Sequence, residues 1–173
     1  MYYGALEAGG TKMVCAIGDA DKNIIDRISI PTGTPDQSVP AMIDYFKKYD
    51  ISALGIGTFG PADINPNSPT YGSIMRSPKK AWEGFSLYKA FTDALGCLVV
   101  VDTDVNAAAW GEYLYGALKG LNSGMYLTVG TGIGGGIISD GRLIHGMEHP
   151  ETGHILIPRR TGDDIPCTCR FHQ

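Results

Sequence analysis

The chain has 173 residues, of which 43% are hydrophobic, and it carries a formal net charge of -4. This negative charge disfavours a nucleic-acid-binding surface, which requires clustered Lys and Arg, and no apolar run approaches the length of a membrane span. The N-terminus has no basic region followed by an apolar core, so no signal peptide is predicted and the expected location is the cytoplasm. The length allows one large domain, or one domain and part of another.

Four strands and one helix are predicted before residue 60. The predicted strands are Tyr2–Leu6, Met13–Ile17, Asn23–Ile30 and Ala53–Thr58, and the predicted helix is Ser38–Tyr49. The turn between the first two strands contains Gly9, Gly10, Thr11 and Lys12. Glycines let backbone N–H groups approach an anion, while Thr and Lys add donors and charge. This turn is either a phosphate contact or an ordinary glycine hairpin turn.

A long connection, Ile64–Trp82, is rich in Pro, Asn, Ser, Gly and Lys. Loops of this length inside a compact domain are usually functional or disordered. We interpret it as a substrate-facing loop, and the alternative is a mobile surface insertion. A helix over Ser86–Leu95 follows, with Ser86 as its N-cap.

The central stretch of the chain is a strand followed by a helix. Val99–Val101 predicts a strand buried on both faces, because it is a short continuous run of β-branched residues. A helix is predicted from Asn106 onward. Asp102 and Asp104 fall at the junction, where open α/β sheets bind their ligands. An acid there is placed to meet a substrate, but Asp102, Thr103 or Asp104 could equally serve as the helix cap.

A second glycine-rich hairpin is predicted after this helix. A strand over Met125–Val129 runs into Gly130–Gly136, and a further strand continues through Ile137 and Ile138. Two glycine hairpins, one on each side of the acid, suit a nucleotide held between two related units. The alternative is a hairpin rich in β-bulges, although interior glycines weaken a strand.

The four cysteines divide into two groups. Cys15 and Cys97 lie in apolar runs and are predicted to be inert core residues. Cys167 and Cys169 lie near His172, and His154 precedes them, which together resemble a zinc-ligand set.

Four motifs in this order resemble the ROK family of sugar kinases, which has the actin-like ATPase (ribonuclease H-like) α/β fold. They are Glu7–Lys12, Asp104–Glu112, Gly130–Gly136 and Glu151–His154. The first motif opens with Glu-Ala-Gly-Gly-Thr-Lys, and together with the run Ser68–Gly72 it is most similar to the fructokinase branch. The resemblance covers the whole chain.

The resemblance implies ATP-dependent phosphorylation of a hexose, namely fructose to fructose 6-phosphate, with Mg2+ and a structural Zn2+. It implies Asp104 as the catalytic base, which also contacts the substrate. The implied phosphate-binding residues are Gly9, Gly10, Thr11 and Lys12 in the first loop and Thr131 and Gly132 in the second. The implied sugar ligands are Glu151 and His154, and the implied zinc ligands are His154, Cys169 and His172, with Cys167 as an ambiguous fourth.

Two further expectations follow from the resemblance. Thr103 stands where glucokinases of this family usually carry Asn, which weakens a glucose assignment and leaves mannose open. A later Cys would complete the zinc site, so we expect the site in this chain to be incomplete and the segment 159–173 to be poorly ordered.

The domain organisation is also an expectation from the resemblance. Residues 1–117 would form a small N-terminal domain with the first phosphate loop and the catalytic acid. Residues 118–173 would begin a larger second domain, because family members are about twice as long as this chain, as a two-domain kinase needs. We therefore expect a truncated product, a split gene or a fragment, which would fold only partly or need a partner to cover its core.

The rival hypotheses are a sugar-sensing domain of a ROK-type repressor and an inactive remnant of a kinase. Repressors carry an N-terminal DNA-binding segment, whereas this chain begins at its first predicted strand. The expected partners are fructose and ATP, without nucleic acid or membrane, and the full-length form is expected to be a homodimer.

Overall fold

The computed structural model describes residues 1–77, 79–130, 132–146, 150–158, 160–162 and 164–165. The strands are β1 (Tyr2–Ala8), β2 (Lys12–Asp19), β3 (Ile24–Pro31), β4 (Ile51–Thr58), β5 (Leu98–Thr103), β6 (Gly124–Val129), β7 (Ile133–Ser139) and β8 (Arg142–Leu143). The α-helices are α1 (Pro35–Phe46), α2 (Leu87–Leu95) and α3 (Asp104–Tyr115), and short 3-10 helices cover Lys80–Trp82 and Thr152–His154. None of the helices within the described ranges is long and apolar enough to cross a membrane.

The strands form two separate sheets. The first has the order β3-β2-β1-β4-β5, in which β1, β2 and β3 are antiparallel neighbours and β4 runs parallel to both β1 and β5. The second is the antiparallel meander β6-β7-β8. The predicted β-β-β-α-β order followed by a strand and a helix is confirmed, and the carboxyl ends of β1, β4 and β5 meet at one edge.

The main core lies on one face of the first sheet, under α1 and α2. Leu6, Leu54 and Phe91 are at most 2% exposed there. Each helix begins where its sequence provides a cap. The N–H of Thr34 donates to the side-chain carbonyl of Gln37 at the start of α1, and the Ser86 hydroxyl accepts the Lys89 N–H at 3.1 Å at the start of α2. The predicted role of Ser86 is therefore confirmed.

Helix α3 packs between the two sheets. On the side of the first sheet, a Cβ atom added to Gly57 would lie 2.9 Å from the Cβ of Ala107. On the side of the second sheet, a Cβ added to Gly136 would overlap the carbonyl oxygen of Val105. Glycine at both positions therefore lets the helix backbone approach both sheets closely.

The prediction that strand β5 is buried on both faces is wrong. Val99 and Val101 are buried against α2, but Val100 is 53% exposed and Leu98 is 66% exposed. A cavity of about 790 Å³ extends over this second face, between the first sheet, α3 and the second sheet. One face of the β-branched run is therefore buried and the other is exposed. A continuous apolar run does not indicate whether one face or both faces of a strand are covered.

The outer edge of β5 is covered by Tyr71 from the long connection. The Tyr71 hydroxyl accepts the Val101 N–H at 2.7 Å and donates to the Val101 carbonyl at 3.0 Å. Burial raises the pKa of Tyr71, which keeps the phenol protonated as a donor.

The long connection itself contributes to the core. Ile64, Ile74 and Trp82 are each at most 8% exposed, and the Trp82 indole N–H donates to the Gly33 carbonyl at 2.8 Å. An isolated β-bridge pairs Ala62 with Ile74 and brings the two ends of the segment between them together. The alternative of a surface insertion is wrong for these residues.

The prediction of a core position is confirmed for Cys15, whereas Cys97 is only partly buried and packs against the core. Cys15 is fully buried, and burial raises the pKa of its thiol to about 12. Cys97 is partly buried, and burial also raises its pKa. A thiol with a raised pKa is mostly protonated at neutral pH and therefore unreactive.

Candidate active site

At the junction between β5 and α3, the residue that caps the helix is not one of the two candidate acids. The Thr103 hydroxyl accepts the Asn106 N–H at 3.2 Å and is the N-cap of α3. Asp104 is the first residue of the helix, is partly buried, and accepts the Val105 N–H at 2.9 Å. Capping by Thr103 leaves the Asp104 carboxylate at the helix N-terminus, where the helix dipole favours a negative charge.

Asp102, the next-to-last residue of β5, accepts hydrogen bonds at the same junction. Its Oδ1 accepts the Thr103 N–H at 2.7 Å and the Asn106 side-chain N–H at 2.8 Å. Its Oδ2 lies 2.8 Å from Nε2 of His145, which follows the second sheet. This contact connects the two sheets across the cavity. No local sequence pattern indicates the contact of His145 with Asp102, because the two residues are 43 positions apart.

Asp104 also lines a second cavity, which we call the cleft. The cleft has a volume of about 760 Å³. Its described lining residues are Gly10, Thr11, Phe59, Gly60, Ser77, Lys79, Thr103, Asp104, Val105, Thr128, Gly130, Gly132, Ile133, Gly134, Gly135, Pro150, Glu151 and Thr152. The cleft thus brings together both glycine hairpins, Asp104 and Glu151, at the edge where parallel strands end.

The first glycine turn contributes two of its four predicted residues to the cleft. Gly10 and Thr11 line it, whereas Gly9 and Lys12 are not among its described lining residues. The Gly9 N–H donates to the Lys12 carbonyl at 3.0 Å, and a Cβ on Gly9 would lie 2.6 Å from that oxygen. Gly9 is therefore needed to close the turn. Lys12 begins β2 and is exposed.

The second glycine hairpin has a regular register, with Val129 opposite Ile133. The bulge-rich alternative is wrong for this pairing. Gly130 and Gly132 line the cleft, and a Cβ added to either would meet no other atom within 4 Å. The turn therefore presents backbone to open space. Thr131 lies outside the described residues.

The predicted sugar ligands lie on the segment that follows the second sheet. Glu151 lines the cleft, and its Oε2 is 3.9 Å from Nε2 of His154, with both side chains about half exposed. The Thr152 hydroxyl donates to the Gly135 carbonyl at 3.1 Å and fixes this segment to β7.

Of the predicted zinc ligands, only His154 lies in the described part of the chain. Cys167, Cys169 and His172 lie outside it, as does most of the segment 159–173. Within the described ranges, no group of three His, Cys, Asp or Glu side chains is arranged to hold a metal.

Sequence reasoning missed Lys79 and Ser77, which the long connection brings to the cleft. The available signal was Trp82 at the end of the long connection, because a large apolar residue favours a loop that is anchored in the core.

Known proteins resemble this chain over nearly its whole length. The sequence model of the ROK family matches residues 3–173. The chain is 46% identical to a fructokinase of Lactococcus lactis subsp. cremoris, over 99% of this chain and 59% of that protein. It is 42% identical to a fructokinase of Pediococcus pentosaceus, over 100% of this chain and 60% of that protein.

More distant matches include a glucokinase of Streptomyces coelicolor, which is 34% identical over 95% of this chain and 51% of that protein. Among solved structures, a ROK hexokinase from Thermus thermophilus superposes with a TM-score of 0.76 and 30% identity, over 91% of this chain and 54% of that one. The chain therefore spans about three fifths of the length of the fructokinases that it matches.

Proposed function

Since the chain belongs to the ROK family and has its actin-like ATPase fold, we propose that it carries the catalytic part of an ATP-dependent hexose kinase. The proposed reaction is the phosphorylation of fructose to fructose 6-phosphate. The observation that carries the proposal is the cleft, in which Asp104 faces both glycine hairpins. The relatives named fructokinases support fructose over glucose, because they are 42–46% identical to the chain and the glucokinase is 34% identical.

Asp104 would act as the general base. Its carboxylate would accept the proton of the attacking sugar hydroxyl, and such assistance contributes about 10²–10⁴ in rate. Asp102 is a less suitable base, because its two oxygens already bind Asn106 and His145. Glu151, which lines the cleft, and His154, which lies beside Glu151 but is not among the described lining residues, would bind sugar hydroxyls.

The backbone of Gly10, Thr11, Gly132 and the neighbouring Thr131 would bind the phosphates of ATP. Phosphoryl transfer depends mainly on positioning and on neutralising charge. Mg2+ is part of the proposal, and it is supported by the carboxylate oxygens of Asp104 and Glu151 in the cleft, which are the type of ligand that this ion prefers. When bound with ATP, Mg2+ would neutralise negative charge on the phosphoryl oxygens.

In this proposal residues 1–117 supply the acid and the first hairpin, and residues 118–173 supply the second hairpin and the sugar ligands. Structural Zn2+ at His154, Cys169 and His172 is part of the proposal. These three ligands are one fewer than a closed zinc site needs, so zinc should be lost on dialysis unless a fourth donor is present. Metal analysis that finds one zinc per chain after dialysis would show that Cys167 or another donor completes the site.

The test of the proposed function is ADP release from ATP with fructose, glucose and mannose, measured on this chain and on a longer form. We expect kcat/KM to be highest for fructose. A preference for glucose would contradict the fructokinase assignment but keep the family reaction. Asp104→Asn should lower kcat by at least about a hundredfold while sugar binding is retained, and near-normal turnover would remove Asp104 from this role.

A further inference from the structure

Lys79 occupies a fixed position at the wall of the cleft. Its N–H donates to the Ser77 hydroxyl at 3.1 Å, and Ser77 is 5% exposed. On the other side, the short helix Lys80–Trp82 ends in a tryptophan that is 1% exposed and hydrogen-bonded to Gly33. The backbone is therefore held on both sides of Lys79, which fixes the position of its Cα atom at the wall of the cleft.

The side chain of Lys79 extends along the first glycine turn. A Cβ atom placed on Gly10 would lie 3.6 Å from Cε of Lys79, the carbon that carries the ammonium group. Lys79 is partly buried there and lines the cleft together with Thr11 and Asp104. Its charge therefore lies beside the backbone that the proposed function assigns to phosphate.

The charge balance of the cleft points to the same role. Asp104 and Glu151 contribute negative charge, and Lys79 is the one Lys or Arg among the described lining residues. No described carboxylate lies within 4.0 Å of the Lys79 ammonium. A partly buried ammonium group that has no ion-pair partner among the described residues can donate its hydrogen bonds to an anion.

Lys12 does not supply this cation in the structure. It begins β2 with an exposed side chain and is not among the described residues that line the cleft. The described cation that lines the cleft beside the first glycine turn is therefore Lys79, while the phosphate contact of Lys12 stays a prediction.

We propose that Lys79 is the anion-binding residue of the cleft and contacts the phosphoryl group that passes between the nucleotide and the sugar. This inference deepens the proposed function and rests on it for the identity of the phosphoryl group. The chemistry is an ammonium group donating hydrogen bonds to phosphoryl oxygens. These phosphoryl oxygens can belong to the terminal phosphate of the nucleotide or to the phosphate of the product sugar.

The neighbouring Lys80 provides a matched control. Its side chain is 76% exposed and its Nζ lies 3.8 Å from Glu83 Oε2, outside the cleft. Lys79→Met and Lys80→Met remove the same charge from adjacent positions, and methionine retains most of the unbranched stem. Lys79→Arg restores a positive charge at the cleft.

The experiment is isothermal titration of the whole chain with inorganic tripolyphosphate and, separately, with fructose 6-phosphate. Lys79→Met should weaken the binding of at least one probe by at least about tenfold, as expected for a lost hydrogen bond to a charged group. Lys80→Met should change either affinity by less than about twofold, because exposed charges contribute little. Lys79→Arg should recover part of the loss, and thermal unfolding checks that all variants fold.

The outcomes separate this inference from the proposed function. A loss for tripolyphosphate assigns Lys79 to the nucleotide, and a loss for fructose 6-phosphate assigns it to the sugar phosphate. Equal affinities for the Lys79→Met and Lys80→Met variants, or no binding of either probe by the unsubstituted chain, would overturn the inference. If the unsubstituted chain and its longer form release no ADP with any hexose, the proposed function fails, while the titrations still decide whether Lys79 binds phosphate.

Discussion

The two hairpins of the cleft both contain glycines and a threonine, but they use their glycines differently. In the first, the glycine that the backbone requires is Gly9, in the turn itself, and Gly10 faces the cleft. In the second, the required glycine is Gly136, inside β7 against α3, and Gly132 faces open space. Some glycines of these runs are therefore required by close packing, and others expose backbone to the cleft. Only the packing of neighbouring elements shows which glycine does which.

Each hairpin also accepts a hydrogen bond from a threonine of another segment, and we call these two hydrogen bonds the braces. The Thr32 hydroxyl donates to the Gly9 carbonyl at 2.8 Å, and the Thr152 hydroxyl donates to the Gly135 carbonyl at 3.1 Å. The first brace holds the turn and the second holds the strand. The first hairpin is thus fixed near its tip, whereas the second is fixed along its length by helix packing.

The largest effect is expected for Gly136→Val. The new side chain would overlap the Val105 carbonyl and the Ala109 methyl group, so α3 or β7 must shift. We expect a loss of about 3 kcal/mol in the free energy of unfolding, at the upper end for overpacking. Urea unfolding measures it, and an unchanged midpoint would show that the helix does not depend on this glycine.

A smaller loss is expected for Gly9→Ala, because its Cβ would lie 2.6 Å from the Lys12 carbonyl oxygen. We expect about 2 kcal/mol, since a turn can relax more than a packed helix. Gly10→Ala is the control, because its Cβ meets only the flexible end of Lys79 at 3.6 Å. Equal losses for the two variants would contradict the division of roles within this turn.

The two braces should each contribute about 1 kcal/mol, the usual net value of an intramolecular hydrogen bond. Thr32→Val and Thr152→Val retain the shape of the side chain and remove the hydroxyl. Hydrogen exchange under native conditions should show faster opening around the first turn in one variant and around β7 in the other. Exchange that rises equally in both hairpins would mean that they open as one unit.

The smallest effect on stability is expected for Gly132→Ala. No atom lies within 4 Å of its added Cβ, so the free energy of unfolding should change by less than about 0.5 kcal/mol. Binding of ATP should weaken nevertheless, if the turn presents its backbone to phosphate. Titration with ATP measures this, and an affinity equal to that of the unsubstituted chain would leave phosphate binding to the first hairpin alone.

The order of the elements could be predicted because the spacing of apolar residues indicates each helix or strand, and capping residues mark where helices begin. The boundaries of α1 shifted from Ser38–Tyr49 to Pro35–Phe46, since Thr34 and Pro35 start the helix before its apolar positions begin. The choice of cap at α3 was not predictable, because Asp102, Thr103 and Asp104 are all good caps. Only the reach of the Thr103 hydroxyl to the Asn106 N–H decided it.

The candidate site was predictable where its residues follow strand ends directly, as Gly10, Thr11 and Asp104 do. It was not predictable where the chain returns from a distance. Lys79 reaches the first glycine turn across nearly 70 residues, and His145 reaches Asp102 across 43. These contacts depend on how the long connection and the second sheet pack, which no local pattern reports.

The contact between Tyr71 and Val101 has a consequence for self-association. Strand β5 is the last strand of the first sheet, and an outer strand with unpaired N–H and C=O groups is a template for pairing with another chain. The Tyr71 hydroxyl satisfies both backbone groups of Val101 on that side. A strand arriving from a second copy would have to displace a partly buried phenol before forming its first hydrogen bonds there, so this side chain protects the sheet from edge-to-edge aggregation.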